Sequence, residues 1–162
     1  MSSLFETREA EEANETKDEI LMDEAIRLAE SAGVRGEVPV GAVVVLGGKV
    51  IGAAGNASLK KSDPTAHAEM LAIKQASSHV GNYRLVGASL YVTIEPCTMC
   101  LGAIMHARIS RLVFGALEVK SGAVISNDVR SIGLFNHSIE VTAGIRAETC
   151  GRLMSDFFGR RR

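Results

Sequence analysis

The 162 residues suit a single domain, and 46% of them are hydrophobic, which is enough to form a core. The charged fraction of 23% is typical of globular proteins, and no apolar run approaches the length of a membrane span. The formal net charge of −1 hides an uneven distribution, because residues 1–24 hold nine acidic and two basic side chains, and the remaining chain carries sixteen basic and ten acidic ones. A basic body suits a polyanionic partner, although the same charge also serves solubility alone.

The cysteine content and the polar start of the chain indicate a compartment. Three cysteines without an evident secretory signal argue for reduced thiols and against a disulfide framework. We therefore expect a cytoplasmic protein. Cys150 lies in an apolar stripe, and we expect it to pack in the core.

The first predicted elements follow an acidic leader. Residues 1–17 are rich in glutamate and lack periodicity, so we expect them to be disordered or frayed. From about Asp18 the apolar positions recur with the period of a helix, and Gly33 is a suitable end. A β-hairpin is predicted next, with its strands and turn at 38–46, 49–55 and Gly47-Gly48.

The second half of the chain alternates helices and strands after a polar loop over 56–63, and Pro64 marks the start of the first of these helices. The predicted helices are 66–78, Cys97 or Thr98 to His106, and 146–158. The predicted strands are 89–94, 111–115 and 139–142. No repeat or linker divides residues 18–162, so we expect one three-layer α/β/α domain around a five-stranded sheet.

The stretch EPCTMC, Glu95 to Cys100, places Cys97 and Cys100 on one face at the head of a predicted helix. Among the four histidines, only His67 has a suggestive context, in the segment TAHAE, which also contains Glu69. Two helix starts that meet at the edge of a sheet would bring together one imidazole and two thiolates, as a catalytic zinc requires. Zinc would lower the pKa of a bound water to roughly 7–9, and Glu69 beside the metal could transfer the proton.

Three other interpretations of these residues stay open on spacing alone. The two cysteines could form a thioredoxin-type redox pair, although such pairs need no distant histidine and glutamate. The zinc could be purely structural, with Glu69 as a fourth ligand. The cysteines could also be unliganded core residues.

Five segments carry a resemblance to a known family: EVPVGAVVV at 37–45, DPTAHAE at 63–69, YVTIEPCTMC at 91–100, VFGA at 113–116 and SDFF at 155–158. They resemble the zinc-dependent cytidine/deoxycytidylate deaminase superfamily and, within it, the bacterial tRNA adenosine deaminases that form inosine at wobble position 34. The resemblance covers residues 18–162. It implies the cytidine-deaminase-like fold, with a mixed sheet flanked by helices.

The resemblance also implies roles for the residues. His67, Cys97 and Cys100 would bind one Zn²⁺ per subunit, and Glu69 would transfer protons while hydroxide attacks C6 of adenine. The implied substrate-binding residues are Val38, Pro39, Asn56, Ala68 and Pro96. Without the resemblance, Val38 and Pro39 also suit a core, and Asn56 suits a turn.

The implied partner is a tRNA anticodon stem-loop, whose unstacked bases are accessible; no membrane or DNA partner is expected. The expected RNA-backbone residues are Lys120, Arg160, Arg161 and Arg162, with Lys60, Lys61, Arg84, Arg108 and Arg111 as further candidates. The resemblance further implies a homodimer. The helix after Cys97, with Leu101, Ile104 and Met105, is a candidate interface, and core packing is the alternative.

Two rival functions stay open. A deaminase of a free base, nucleoside or nucleotide, of the guanine or cytosine type, would use the same zinc site. A non-catalytic, zinc-stabilised RNA-binding subunit is the rival from another class, but such proteins usually lose the shuttle carboxylate, and Glu69 is present.

Overall fold

A computed structural model describes the backbone of residues 2–161 and the side chains of residues 7–14 and 16–161. The α-helices are α1 Ser2–Val34, α2 Ser58–Lys61, α3 Ala68–Val80, α4 Thr98–His106 and α5 Ala147–Gly159. The strands are β1 Gly41–Leu46, β2 Lys49–Gly55, β3 Ser89–Ile94, β4 Arg111–Ala116 and β5 Glu140–Ala143. A short 3₁₀ helix, Val129–Ile132, lies between β4 and β5.

The five strands form one mixed sheet in the order β2-β1-β3-β4-β5. Strand β1 is antiparallel to β2 and to β3, whereas β3, β4 and β5 run parallel to one another. The β1–β2 turn has positive φ at both Gly47 and Gly48, 58° and 75°, which glycine adopts without steric cost. The mixed five-stranded sheet predicted from the sequence is confirmed.

Alternate residues of the central strands point to opposite faces of the sheet, and each face is covered by helices. Val43, Tyr91 and Val113 pack on one side with residues of α1 and α5. Val44, Val92 and Phe114 pack on the other side with residues of α3 and α4. The three-layer arrangement is therefore confirmed. In the part of the chain that the structure describes, no helix combines the length and apolarity needed to cross a bilayer.

Helix α1 is longer than predicted. It begins at Ser2, not near Asp18, and residues 7–14, 16 and 17 are exposed along it. Glutamate and alanine are good helix formers, and a helix already fixed by packing extends at little cost because its nucleus exists. The predicted start of the helix was wrong, and the backbone of residues 2–17 is helical, not disordered. The division of the chain into a leader and a domain stays a prediction.

The helix that follows Cys97 is a core element. Leu101 and Ile104 are fully buried and Met105 is 3% exposed, within the cluster that covers one face of the sheet. Their proposed role at a dimer interface was therefore wrong, because the sheet of the same chain already covers them. Cys150 is also buried, and its sulfur contacts Gly115 on β4 so closely that a Cβ there would collide with it. The prediction that Cys150 packs in the core is confirmed.

Candidate metal centre and its cleft

His67, Cys97 and Cys100 lie together at the starts of two helices. His67 is the N-cap residue of α3 and Cys97 is the N-cap residue of α4, both with extended backbone, and Cys100 lies in the first turn of α4. Nδ1 of His67 is 3.8 Å from Sγ of Cys97 and 3.5 Å from Sγ of Cys100. The sequence expectation that two helix starts bring these side chains together agrees with this geometry.

The three donor atoms match the requirements of zinc. All three lie within 4.8 Å of one another, and they are the one such cluster found among the described residues. A tetrahedral ion with Zn–S of about 2.3 Å and Zn–N of about 2.0 Å places its sulfur and nitrogen ligands about 3.5 Å apart. Two thiolates and one imidazole also leave a fourth position for water, as catalytic zinc sites do.

The electrostatics of the trio favour a thiolate. The Cys100 thiol hydrogen-bonds to the Cys97 sulfur, and this bond lowers the pKa of Cys97 to about 4 against the effect of burial. The same bond and burial raise the pKa of Cys100. The hydrogen bond to Cys97 raises the pKa of His67, although burial acts in the other direction. The protons of the trio are thus shared, and a cation would replace them.

Glu69 lies in the first turn of α3, two residues after His67, and is 2% exposed. Its Oε2 atom is buried and has no hydrogen-bond partner among the described residues. Burial raises the pKa of Glu69 to about 6. Buried carboxylate oxygens are normally hydrogen-bonded, so an unpartnered one beside a donor trio indicates a group that meets a ligand or a water.

A cleft of about 480 Å³ opens over these residues, within the size range of small-ligand sites. His67, Glu69 and Cys97 line it, and so do two of the predicted substrate-binding residues, Val38 and Asn56. The other walls come from the end of β3, the chain after β4, and α5, through Glu95, Glu118, Ser121, Met154 and Phe157.

Asn56 is fixed by a buried carboxylate that the sequence analysis missed. Glu37, 2% exposed, accepts bonds from the backbone N–H groups of Lys60 at 2.8 Å and Leu59 at 3.2 Å. Its Oε2 also accepts a 3.4 Å bond from Nδ2 of Asn56. Burial acts to raise the pKa of Glu37, but these hydrogen bonds outweigh it and lower the pKa. Glu37 thus holds the short helix α2 and directs the amide nitrogen of Asn56 toward itself.

The other three predicted substrate-binding residues do not line this cleft. Pro39 lines a separate cleft of about 420 Å³ between α1 and α5. Ala68 is the first residue of α3 and is fully buried in the core. Pro96 is buried, and its carbonyl accepts a 2.9 Å bond from the N–H of Ala123. These residues shape the surroundings of the trio, and their contact with a substrate stays a prediction.

The predicted RNA-backbone residues lie at the rims of the clefts. Lys120 is exposed beside a third cleft of about 1000 Å³, and Arg160 is exposed beside the cleft of Pro39. Arg161 reaches the rim of the metal cleft, donates a 2.9 Å bond to the carbonyl of Gly36, and lies 4.1 Å above the ring of Phe157. Arg162 lies outside the described residues.

Arg111 has a structural partner instead of a phosphate. Its guanidinium forms two 2.7 Å bonds with the carboxylate of Asp18, which is 4% exposed, and a 2.9 Å bond with Oγ1 of Thr142. Tyr91 also donates a 2.8 Å bond to Asp18. The expectation that Arg111 contacts RNA is therefore corrected, because its guanidinium already bonds to residues of α1, β3 and β5.

A family model described as the cytidine and deoxycytidylate deaminase zinc-binding region matches residues 15–116. This range contains the donor trio and Glu69. The prediction of zinc as the cofactor is thereby confirmed.

The chain is 48% identical over 151 residues to the tRNA-specific adenosine deaminase of Haemophilus influenzae, covering 90% of this chain and 85% of that protein. It is 45% identical over 145 residues to the tRNA-specific adenosine deaminase of Bacillus subtilis, covering 88% and 89%. A solved structure from a study of A-to-I editing by tRNA:A34 deaminases at the wobble position matches with a TM-score of 0.79 and 46% identity, covering 82% of this chain and 97% of the other. The chain belongs to the tRNA-specific adenosine deaminases of the zinc-binding cytidine and deoxycytidylate deaminase family.

Proposed function

We propose that the chain catalyses the zinc-dependent hydrolytic deamination of adenosine to inosine at the wobble position of tRNA anticodons. The observation that carries the proposal is the buried, unpartnered Oε2 of Glu69 beside His67, Cys97 and Cys100 in a cleft of base-accommodating size. C6 of adenine, the reacting atom, is reached only when the nucleotide is turned out of its stack. A cleft of this size can accommodate the single base that is then exposed.

In this proposal His67, Cys97 and Cys100 hold the metal. Zinc, when bound, lowers the pKa of water to roughly 7, so that hydroxide is available near neutral pH. Glu69 accepts the proton of that water on its free carboxylate oxygen. It then donates that proton to N1 of adenine while the hydroxyl adds to C6. It next takes up the proton of the new C6 hydroxyl group and passes it to the amine, which leaves as ammonia as the C6 carbonyl forms.

The cleft walls would position the base. Val38 offers an apolar contact, and Asn56 offers the carbonyl end of its amide, because its nitrogen faces Glu37. Pro39, Ala68 and Pro96 do not line this cleft in the free chain, and we propose that they contact the substrate as the resemblance implies. Lys120, Arg160, Arg161 and Arg162 would contact phosphates around the cleft, as basic side chains at the mouth of an RNA-binding site do.

We infer two further properties from the same family. The protein would act as a homodimer in which the partner subunit completes the substrate-binding surface. It would work in the cytoplasm, where its tRNA substrate is used.

The test is a direct assay on two kinds of substrate. We expect the purified protein to convert adenosine to inosine in an anticodon stem-loop that carries A34, with activity falling steeply as salt increases. Free adenosine, guanine and cytosine serve as the comparison substrates. Turnover of free guanine or cytosine without conversion of the stem-loop would replace the proposal by the small-molecule alternative.

A further inference from the structure

Glu95 is a second buried carboxylate at the cleft, and the proposed chemistry does not use it. It follows directly after β3 and is 2% exposed. Its Oε1 accepts bonds from the backbone N–H groups of Val124, Ile125 and Ser126 at 3.1, 2.7 and 2.8 Å. Its Oε2 accepts bonds from the N–H of Glu118 at 3.0 Å and from Oγ of Ser126 at 2.5 Å.

All these donors belong to one segment, residues 117–128, which we call the β4 loop. The loop includes Glu118 and Ser121, which line the metal cleft. No lysine or arginine among the described residues forms an ion pair with Glu95, so the carboxylate is stabilised by the loop alone. Burial acts to raise the pKa of Glu95, but the Ser126 hydroxyl and the backbone N–H groups outweigh it and lower the pKa.

The same segment is attached to the metal-ligand side of the site. Cys97 forms an isolated antiparallel bridge with Gly122, and Ala123 donates its N–H to the carbonyl of Pro96. An added Cβ at Gly122 would collide with the carboxylate of Glu95. Residues 95–97 thus carry both a metal ligand, Cys97, and the carboxylate of Glu95, which anchors the β4 loop on the opposite wall of the cleft.

We propose that Glu95 is a positioning residue that holds the β4 loop in register with the metal-ligand segment, so that the loop forms the wall against which the turned-out nucleotide binds. This inference rests on the proposed function for its effect on catalysis. The claim that the Glu95 carboxylate holds the β4 loop in place does not depend on the substrate.

The chemistry requires a carboxylate because two oxygens serve five donors. Glutamine has one acceptor oxygen and one NH₂ group. In either orientation of the amide, the NH₂ group faces the N–H of Glu118 or the three N–H groups of residues 124–126. A buried N–H without an acceptor is costly, so part of the loop must detach.

The experiment compares Glu95→Gln with Glu148→Gln, a matched change of an exposed carboxylate on α5. We expect Glu95→Gln to keep one zinc per chain. We expect backbone amides among Glu118 and residues 124–126 to exchange hydrogen roughly 10-fold faster or more, because glutamine leaves part of this set without an acceptor. With the A34 stem-loop, we expect KM to rise and kcat/KM to fall roughly 10-fold, with a smaller change in kcat. Glu148→Gln should match the parent in each measurement.

A second pair of variants covers the case in which Glu95→Gln does not fold. Ser126→Ala removes only the hydroxyl bond to Glu95, and Ser131→Ala removes a hydroxyl that bonds locally to Asp128. We expect Ser126→Ala to show the same changes at smaller size and Ser131→Ala to show none. If Glu95→Gln folds but leaves hydrogen exchange of the loop and KM as in the parent, the inference is wrong. If Glu95→Gln does not fold, the same result for Ser126→Ala contradicts the inference.

Failure of the two proposals can be told apart. An inactive parent protein would contradict the proposed function, and the exchange of the β4 loop would still test the role of Glu95. An active parent whose Glu95→Gln variant loses zinc would contradict the inference, because the carboxylate would then support the metal ligands and not the loop.

Discussion

Two buried carboxylates near opposite ends of the central sheet, Asp18 and Glu69, differ in whether their oxygens have hydrogen-bond partners. At the amino end of β3 and β4, Asp18, Tyr91 and Arg111 bond to one another, and the carboxylate of Asp18 accepts from two side chains. At the carboxyl end of β3, Glu69 is as deeply buried, yet its Oε2 has no partner among the described residues. A satisfied buried charge belongs to the architecture, whereas an unsatisfied one beside metal ligands indicates chemistry.

The largest effect should come from removing a metal ligand at the unsatisfied end. We expect His67→Ala to lose zinc and all measurable deamination, because two thiolates alone bind zinc weakly in an open cleft. Zinc per chain and inosine formation are measured together. His79→Ala, a change of an exposed histidine on α3, is the control and should retain both. Full activity in zinc-free His67→Ala would remove the metal from the mechanism.

The next largest effect should come from Glu69→Gln. The amide cannot transfer a proton, so we expect kcat to fall by about 10²- to 10⁴-fold while zinc binding is kept. Single-turnover inosine formation and metal content are the measurements. A variant that keeps zinc and deaminates as fast as the parent would show that the unpaired oxygen has no catalytic role.

In the hydrogen-bonded cluster of Asp18, Tyr91 and Arg111, Asp18→Asn should lower stability and leave catalysis unchanged. Breaking the buried bonds to Arg111 and Tyr91 should lower the free energy of unfolding by about 2–3 kcal/mol at pH 7. The kcat/KM of the folded protein should stay within about twofold of the parent, because the cluster lies at the far end of the sheet. Glu140→Gln, which alters an exposed partner 3.6 Å from Arg111, is the control and should cost much less. If kcat/KM of Asp18→Asn falls by more than its folded fraction does, the Asp18 cluster also contributes to catalysis, and the contrast with Glu69 is wrong.

The stability difference between the parent protein and Asp18→Asn should depend on pH. Burial acts to raise the pKa of Asp18, but the bonds from Arg111 and Tyr91 outweigh it, so the folded-state pKa lies below the ordinary value. The stabilisation is therefore present above the unfolded-state pKa and is lost as pH falls through the folded-state pKa. The difference in unfolding free energy between the parent and Asp18→Asn should be full at pH 7 and shrink below about pH 4. Denaturant titrations at several pH values measure it, and a constant difference would contradict the assignment.

The smallest effect should come from the exposed rim. If Lys120 contacts a phosphate, Lys120→Ala should weaken stem-loop binding a few-fold and reduce the slope of log affinity against log salt by about 1. Lys49→Ala, an exposed lysine in the distant hairpin, should change neither quantity. An unchanged slope for Lys120→Ala would place the RNA elsewhere on the surface.

The metal end was predictable from sequence because its geometry depends on local signals. Proline marked the approach to α3 and the end of β3, and helix starts fix the direction of the next side chains. The residue pattern therefore indicated that His67, Cys97 and Cys100 could meet, and the resemblance to the deaminases assigned them their roles as zinc ligands. The strand positions followed from period-two and apolar patterns in the same way.

The cluster around Asp18 and the walls of the cleft were not predictable, because their contacts link positions that are distant in the sequence. Asp18 and Arg111 are 93 positions apart in sequence, and an exposed arginine and a paired one look the same in a sequence. Glu95 and Glu37 bind mostly backbone N–H groups, which carry no residue signature. Their one signal was a glutamate placed beside buried apolar segments, where a charge needs a partner.

The most direct test of the account is deamination of the A34 stem-loop in water enriched in ¹⁸O, with the zinc-loaded parent protein. Water as the nucleophile, deprotonated beside Glu69, predicts inosine that carries the heavy oxygen at C6 in proportion to its enrichment. Inosine without the label, or no inosine from protein that holds one zinc per chain, would contradict the account.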